Sequence, residues 1–419
     1  MKKVIYLCQI IAIIIVSCGQ QGNILPTVKP EQVGLSSERL NRIKPVMQRY
    51  VDENKLPGFI TMVARQGKIV HFEKYGKMDV DKPMQLDAIF SIKSMTKPII
   101  SVAVMMLYEE GYFQLDDPVS KFIPEFKDMK VFSSKDQNGI HLVDQIKPMT
   151  IEDLLTHTSG LGYGEGNTLV DSMYNSVNFR ERTLKDMIQK LSKIPLYYQP
   201  GTKWNYSMST DVLGYLVEVI SGKPLDKFLK ERIFIPLKMK DTDFYVPKEK
   251  INRVPALYGP ADNSGIKVLI KPDTVSNIST PKKYLSGGAG LFSTANDYMI
   301  FSQMLLNKGE YDHIRLLGEK TVEYMTANHL SADLLPTKGY GAPRPGNGFG
   351  LGFAVVYDNI QPKIISSVGN YWWAGALGTF FLIDPSEQLI IIFMTHFNPI
   401  GYYHNLDDFQ VLTYQAVID

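Results

Sequence analysis

The sequence predicts an α+β (α/β) fold in which an antiparallel β-sheet, flanked by helices, is built from the N- and C-terminal segments around a mostly helical inserted region. Three observations carry this reading: strand segments joined by a two-residue turn signal near residue 66, four further strand segments after Gly352, and helical or loop-like patterns between them. Strands so distant in sequence bury their apolar faces most economically by sharing one sheet, which makes the domain discontinuous. The boundaries that follow are a domain over 31–419, with the sheet from about 31–90 and 345–419 and the insert over about 91–344.

The elements follow in order. From Ser36 the apolar positions Leu40, Ile43, Val46, Met47, Tyr50 and Val51 keep a helical period to Asn54, with Pro45 a candidate kink. Phe59 to Arg65 and Lys68 to Lys74 flank Gln66-Gly67, a hairpin signal because glycine accepts the positive φ of a tight turn. Ile99, Val102, Ala103, Met106 and Leu107 repeat at the period of a core helix that stops at Gly111. Thr150 to Leu155 opens a helix, Asp211 to Ile220 forms another ended by Ser221-Gly222, and Thr294 with Asp297 makes a capping box before Ala295 to Leu306, closed by Gly309. Strands return at Gly352 to Tyr357, Lys363 to Val368, Leu377 to Asp384 and Gln388 to Thr395.

A chain of 419 residues with 44% hydrophobic content can bury a large core, which excludes a disordered chain. Its 45 basic residues nearly balance 43 acidic ones, so nothing calls for a nucleic-acid partner. Met1-Lys2-Lys3, the apolar run Val4 to Val16 and Ser17-Cys18-Gly19 read as a secretory leader over 1–17. A small residue before cysteine resembles a bacterial lipobox, which makes Cys18 the lipid attachment site, 18–30 a tether, and the protein an exported, membrane-anchored lipoprotein of the cell envelope, periplasmic or outer-membrane associated. The other cysteine, Cys8, lies within the leader, so packing rather than disulfides must stabilise the mature chain.

Ser94-Met95-Thr96-Lys97, just before the core helix, carries the most chemistry. Residues i and i+3 share a helix face, so a lysine amine freed of its proton by desolvation can accept the serine proton. A helix start adds unpaired N–H groups where an oxyanion develops. A second copy, Ser279-Thr280-Pro281-Lys282, has no apolar helix after it. A third group must relay the proton to the leaving alkoxide, and Tyr206 in Trp204-Asn205-Tyr206-Ser207-Met208 is the candidate, its phenol expected to be acidified by the neighbouring ammonium.

The ordered landmarks Ser94-x-x-Lys97, Leu154 to Leu161, Tyr206-Ser207-Met208, Gly287 to Ser293 and Trp373-Ala374-Gly375 resemble those of the serine β-lactamase-like hydrolases. That group holds class C β-lactamases, D-alanyl-D-alanine carboxypeptidases and family VIII carboxylesterases, and the resemblance runs from about Glu31 onward. It implies a β-lactamase/transpeptidase-like fold, no cofactor and no metal. It makes Ser94 the acylated nucleophile, Lys97 its proton acceptor and Tyr206 the general base and acid. Trp373-Ala374-Gly375 matches the family's third box on an edge strand facing the serine, and the N–H groups of Ala376 and Ser94 form the oxyanion hole.

Two departures bear on substrate. Met208 stands where β-lactamases of the group carry asparagine, and Trp373-Ala374 stand where they carry a cation and a hydroxyl. An indole cannot pair with a carboxylate but can pack on an acyl or alkoxy chain, which points to neutral short-chain esters and to the family VIII carboxylesterases. Trp373, Gly375 and Tyr163 are the expected substrate contacts, with Tyr198 a further lining residue. The alternative substrates are a β-lactam or a peptidoglycan peptide, and the alternative of another class is a silent envelope binding protein. His157 is read as holding the turn after Leu155, Asp211 and Ser209 as starting a helix, and His396 as structural. No G-x-S-x-G, H-E-x-x-H or phosphate-binding loop is present, which leaves an α/β-hydrolase elbow, a zinc enzyme and a nucleotide enzyme unsupported.

Overall fold

The computed structural model describes residues 25–137, 139–272, 278–335 and 337–419; the leader and Cys18 lie outside the described residues. The strands that build the main sheet and frame the site, in chain order, are β1 (Gly58–Arg65), β2 (Lys68–Asp79), β3 (Lys82–Pro83), β4 (Phe90–Ser91), β5 (Phe292–Ser293), β6 (Asn347–Phe349), β7 (Ala354–Val356), β8 (Tyr371–Gly375), β9 (Thr379–Asp384) and β10 (Leu389–Thr395). Eight of them form one antiparallel sheet in the spatial order β6-β7-β8-β9-β10-β1-β2-β3, while β4 and β5 pair apart. The two ends of the chain meet where Phe59 pairs with Thr395 and Arg65 with Leu389.

Helices cover both faces of this sheet: α1 (Ile43–Asp52), α2 (Thr96–Glu109), α3 (Ile151–Leu155), α4 (Ser209–Ser221), α5 (Ala295–Leu306) and α6 (Asn405–Tyr414). Side chains alternate along a strand, so Ile390, Ile392 and Met394 of β10 join the core with α2 to α5, and Leu389, Ile391 and Phe393 join a second core with α1 and α6. Burial on both faces explains why β10 reads as an unbroken apolar run. The insert has its own β structure, the hairpins Val131–Asp136 with Gly139–Val143 and Leu257–Pro260 with Ile266–Ile270, which the helical reading did not anticipate.

Gln66 and Gly67 both take positive φ, 51° and 71°, and close β1 to β2 as a tight hairpin. The first predicted helix is two pieces, Ser37–Leu40 and α1, broken at Asn41-Arg42. Pro45 explains the break, since it cannot donate to the Asn41 carbonyl four residues back. Lys363 to Val368 is not a strand: Lys363 sits at φ 57°, and Ile365 and Val368 face solvent. Its place is taken by β8, an interior strand rather than the expected edge. Its ladder to β7 stops at Trp372, so that side of Trp373-Ala374-Gly375 has no strand partner among the described residues. Residues 25–28, assigned from sequence to the tether, are docked: Val28 N–H donates to Ile69 O and Ile69 N–H to Pro26 O.

Candidate active site

Ser94 lies in a 3-10 turn, Lys93–Met95, that runs directly into α2. The turn is held from several sides. Ile92 N–H donates to Leu291 O, Leu291 N–H to Thr96 Oγ1, and the Tyr298 hydroxyl to Met95 O. Behind it, His396 Nε2 accepts from Ser91 N–H at 2.7 Å while Nδ1 meets Pro255 O at 3.1 Å, so His396 pins β4 and does not reach the cleft. Met95 is the first amide paired back within the turn, to Ile92 O, so the Ser94 N–H precedes the helical ladder. Lys93, just before the nucleophile candidate, holds φ 45°, in the left-handed region that is uncommon for a residue other than glycine.

Lys97 Nζ lies 3.3 Å from Ser94 Oγ and donates to Gly288 O at 2.7 Å. The side chain is 1% exposed. Burial is the first cause of its depressed pKa, about 7, opposed by the Asp211 carboxylate and aided by the Arg180 guanidinium. An amine so poised is substantially unprotonated at neutral pH. Gly288 lies close packed here: a Cβ would come within 2.5 Å of the Asp211 carboxylate and 3.0 Å of the Tyr163 hydroxyl, so either side chain would have to shift.

Asp211, read from sequence as a helix start, is buried and gathers the loop that carries Gly288. It accepts from Ser286 Oγ at 2.7 Å, Tyr284 OH at 3.1 Å and Gly288 N–H at 3.2 Å. Ser209 does lie at the start of α4, but its hydroxyl is buried between those of Ser159 and Ser207.

Tyr206 brings its ring centroid within 4.5 Å of Lys97 Nζ. Its hydroxyl accepts from Trp373 Nε1–H at 3.3 Å. Burial pushes the phenol well above its ordinary pKa, against smaller lowering contributions from Ser94 and Trp373, which corrects the expectation of an acidified tyrosine. The free site therefore pairs a near-neutral amine with a protonated phenol.

Trp373 is buried against Tyr206 and Phe349 at centroid separations of 5.4 and 5.3 Å. Gly375 acts by closeness: a Cβ there would strike the Ile92 carbonyl and the Thr379 hydroxyl, which itself donates to Ile92 O at 3.3 Å. Its absence lets the end of β8 press on the Ser94 turn and brings Ala376 to the cleft opposite Ser94. Both line a cavity of about 210 Å³ together with Tyr163, Tyr206 and Tyr340.

Lys93, Glu165, Arg180, Ser286 and Ala289 complete that lining. Of these only Ala289 lies in a landmark read from sequence, Gly287 to Ser293, and Lys93 had the signal of its place beside Ser94. Tyr198 is elsewhere, its ring under Lys203. His157, at φ 59°, meets Ser207 Oγ at 3.2 Å, and burial with the charge of Lys97 drives its pKa well down. It supports the Tyr206 ring at a centroid separation of 4.8 Å. Among the described residues no group of three or more His, Cys, Asp or Glu side chains could hold a metal, and no helix is long and apolar enough to cross a membrane.

The family model described as Beta-lactamase matches residues 43–415. Protein Rv1367c of Mycobacterium tuberculosis (strain ATCC 25618 / H37Rv) is 35% identical over 360 residues, covering 83% of this chain and 88% of that protein. Esterase EstB of Burkholderia gladioli is 29% identical over 377 residues, covering 85% and 90%. Among solved structures, EstCE1, described as a hydrolase with promiscuous acyltransferase activity, superposes with a TM-score of 0.74 at 24% identity, covering 91% of this chain and 99% of that one.

Proposed function

The chain belongs to the Beta-lactamase family and is a serine hydrolase of that fold, and from this premise we propose that it cleaves short-chain carboxylic esters through an acyl-enzyme on Ser94. Ser94 Oγ attacks the acyl carbon and passes its proton to Lys97 Nζ. The oxyanion that forms is met by the N–H groups of Ser94 and Ala376. The C–O bond to the alcohol then breaks, the departing alkoxide takes the Tyr206 phenol proton, and the Lys97 ammonium, beside the Tyr206 ring, returns a proton to the phenolate. Water then attacks the acyl-enzyme, giving a proton to this relay as the carboxylic acid leaves and Ser94 is regenerated.

One observation carries the choice of ester: Trp373 fills the third box with a buried indole whose only polar atom is committed to Tyr206. It offers no cation or hydroxyl to the carboxylate of a β-lactam or peptidoglycan peptide. A cavity of about 210 Å³ is smaller than the roughly 300–1,000 Å³ of drug-sized sites and suits a short acyl group. Tyr163, which lines the cavity, is proposed to pack against the substrate, Trp373, which the cavity does not reach, to back the Tyr206 ring, and Gly375 to hold the strand end in place. Kinetics on p-nitrophenyl butyrate and on nitrocefin test the reading: a larger kcat/KM on the ester is expected, and a much larger value on nitrocefin would assign the site to β-lactams.

The leader, the lipid on Cys18 and a place in the cell envelope belong to the same proposal, supported by the run Val4 to Val16 and Ser17-Cys18-Gly19. Radiolabelled palmitate should enter the wild-type protein in bacterial cells and not Cys18→Ser; equal labelling would refute it.

A further inference from the structure

A second cavity, about 520 Å³, adjoins the one beside Ser94 and shares Lys93, Arg180 and Ala289 with it. Its charge is one-sided. Among the described residues Lys93, Arg180, Arg182, Lys282 and Lys283 line it together with one acid, Glu181, which is ion-paired with Lys190 at 2.8 Å, while Glu165 lines the adjoining cavity. A chain whose charges nearly balance overall thus gathers five basic side chains around a cavity next to Ser94.

Like charges held together in a half-enclosed space repel one another, and an anion relieves that repulsion. The field of Arg180 reaches the site itself, where it disfavours the ammonium forms of both Lys93 and Lys97. Neither Tyr206 nor Tyr340 lines this second cavity. The alcohol half of an ester must leave beside the Tyr206 hydroxyl, so the half that points towards Arg180 is the acyl half.

We propose that the basic cavity is a carboxylate subsite and that the substrate is an ester whose acyl chain ends in a carboxylate, such as a monoester of a short dicarboxylic acid. This rests on the ester reading above and replaces the neutral substrate expected from the third box, because the cations lie in loops around Arg180 and Lys283 rather than on β8.

The test has two arms. The first compares kcat/KM on the p-nitrophenyl monoester of glutaric acid with that on p-nitrophenyl valerate, at low and high salt. The wild type should favour the anionic ester by tenfold or more, with the preference shrinking as salt screens the charges. Arg180→Gln and Arg182→Gln should each lower the ratio severalfold. A wild-type ratio near or below one, or a ratio that neither variant moves, overturns the proposal.

The second arm measures glutarate binding to the Ser94→Ala protein by calorimetry, and it needs no turnover. Salt-sensitive binding that is lost on adding Arg180→Gln supports the subsite even if no ester is cleaved, in which case the ester reading alone fails. Absence of glutarate binding to correctly folded Ser94→Ala protein, checked by circular dichroism, overturns the subsite whatever the first arm shows.

Discussion

Replacing Lys97 by methionine should remove the activity and yet stabilise the fold at neutral pH. A buried lysine that titrates near 7 rather than near 10.5 carries ~5 kcal/mol against its charged form, at about 1.4 kcal/mol per tenfold change in proton affinity. The sign follows from where the proton sits. Between pH 7 and 10.5 the unfolded chain keeps the amine protonated while the folded chain sheds the proton. Folding therefore releases a proton, and wild-type stability rises with pH across that window.

Methionine has similar bulk and nothing to titrate, so at pH 7 it escapes most of that cost. It forfeits the hydrogen bonds to Gly288 O and Ser94 Oγ, worth about 1 kcal/mol each. The net expectation is a Lys97→Met protein about 2 kcal/mol more stable than wild type at pH 7, about equal at pH 9 and less stable at pH 10. Urea unfolding of both proteins at pH 7, 8, 9 and 10 measures the difference, in which other titrating groups cancel. A stability difference that does not change with pH, or a wild type that is the more stable at pH 7, would refute the reasoning, because it would mean that the folded amine stays charged.

The same titration should shape catalysis: kcat/KM on a p-nitrophenyl ester should rise about tenfold per pH unit below pH 7 and level off above it, and a profile flat from pH 5 to 9 would remove Lys97 from the role of base. Asp211→Asn takes away the charge that raises the Lys97 pKa, so the acidic limb of that profile should move to lower pH; a shift upward would contradict the assignment. Gly375→Ala drives a methyl group into the Ile92 carbonyl, which should cost roughly 1–3 kcal/mol in urea unfolding and lower kcat as the Ser94 turn is displaced. Adding Thr379→Ala should not restore it, since the carbonyl remains, and full recovery would show that the side chain was the only obstacle.

Much of the frame was legible because it rests on local rules. Gln66-Gly67 announces its turn through backbone freedom, and Ser94 and Lys97 share a face through helical spacing alone. Features set by distant partners were not legible. Lys363 to Val368 has strand-forming residues but no strand partner among the described residues, while Tyr371–Gly375, which carries Trp373-Ala374-Gly375, took the place expected for it. Asp211 sits in a pattern that starts helices, and its partners Tyr284, Ser286 and Gly288 are more than 70 residues away. The proton on Tyr206 depends on burial, which spacing cannot report, and Arg180 and Lys283 lie in polar loops without periodicity.

The central claim is that Ser94 becomes acylated, and mass spectrometry of the protein treated with a fluorophosphonate tests it most directly. One adduct is expected on the peptide that contains Ser94, with none in Ser94→Ala. Equal labelling of the two proteins, or an adduct on another residue, would contradict it.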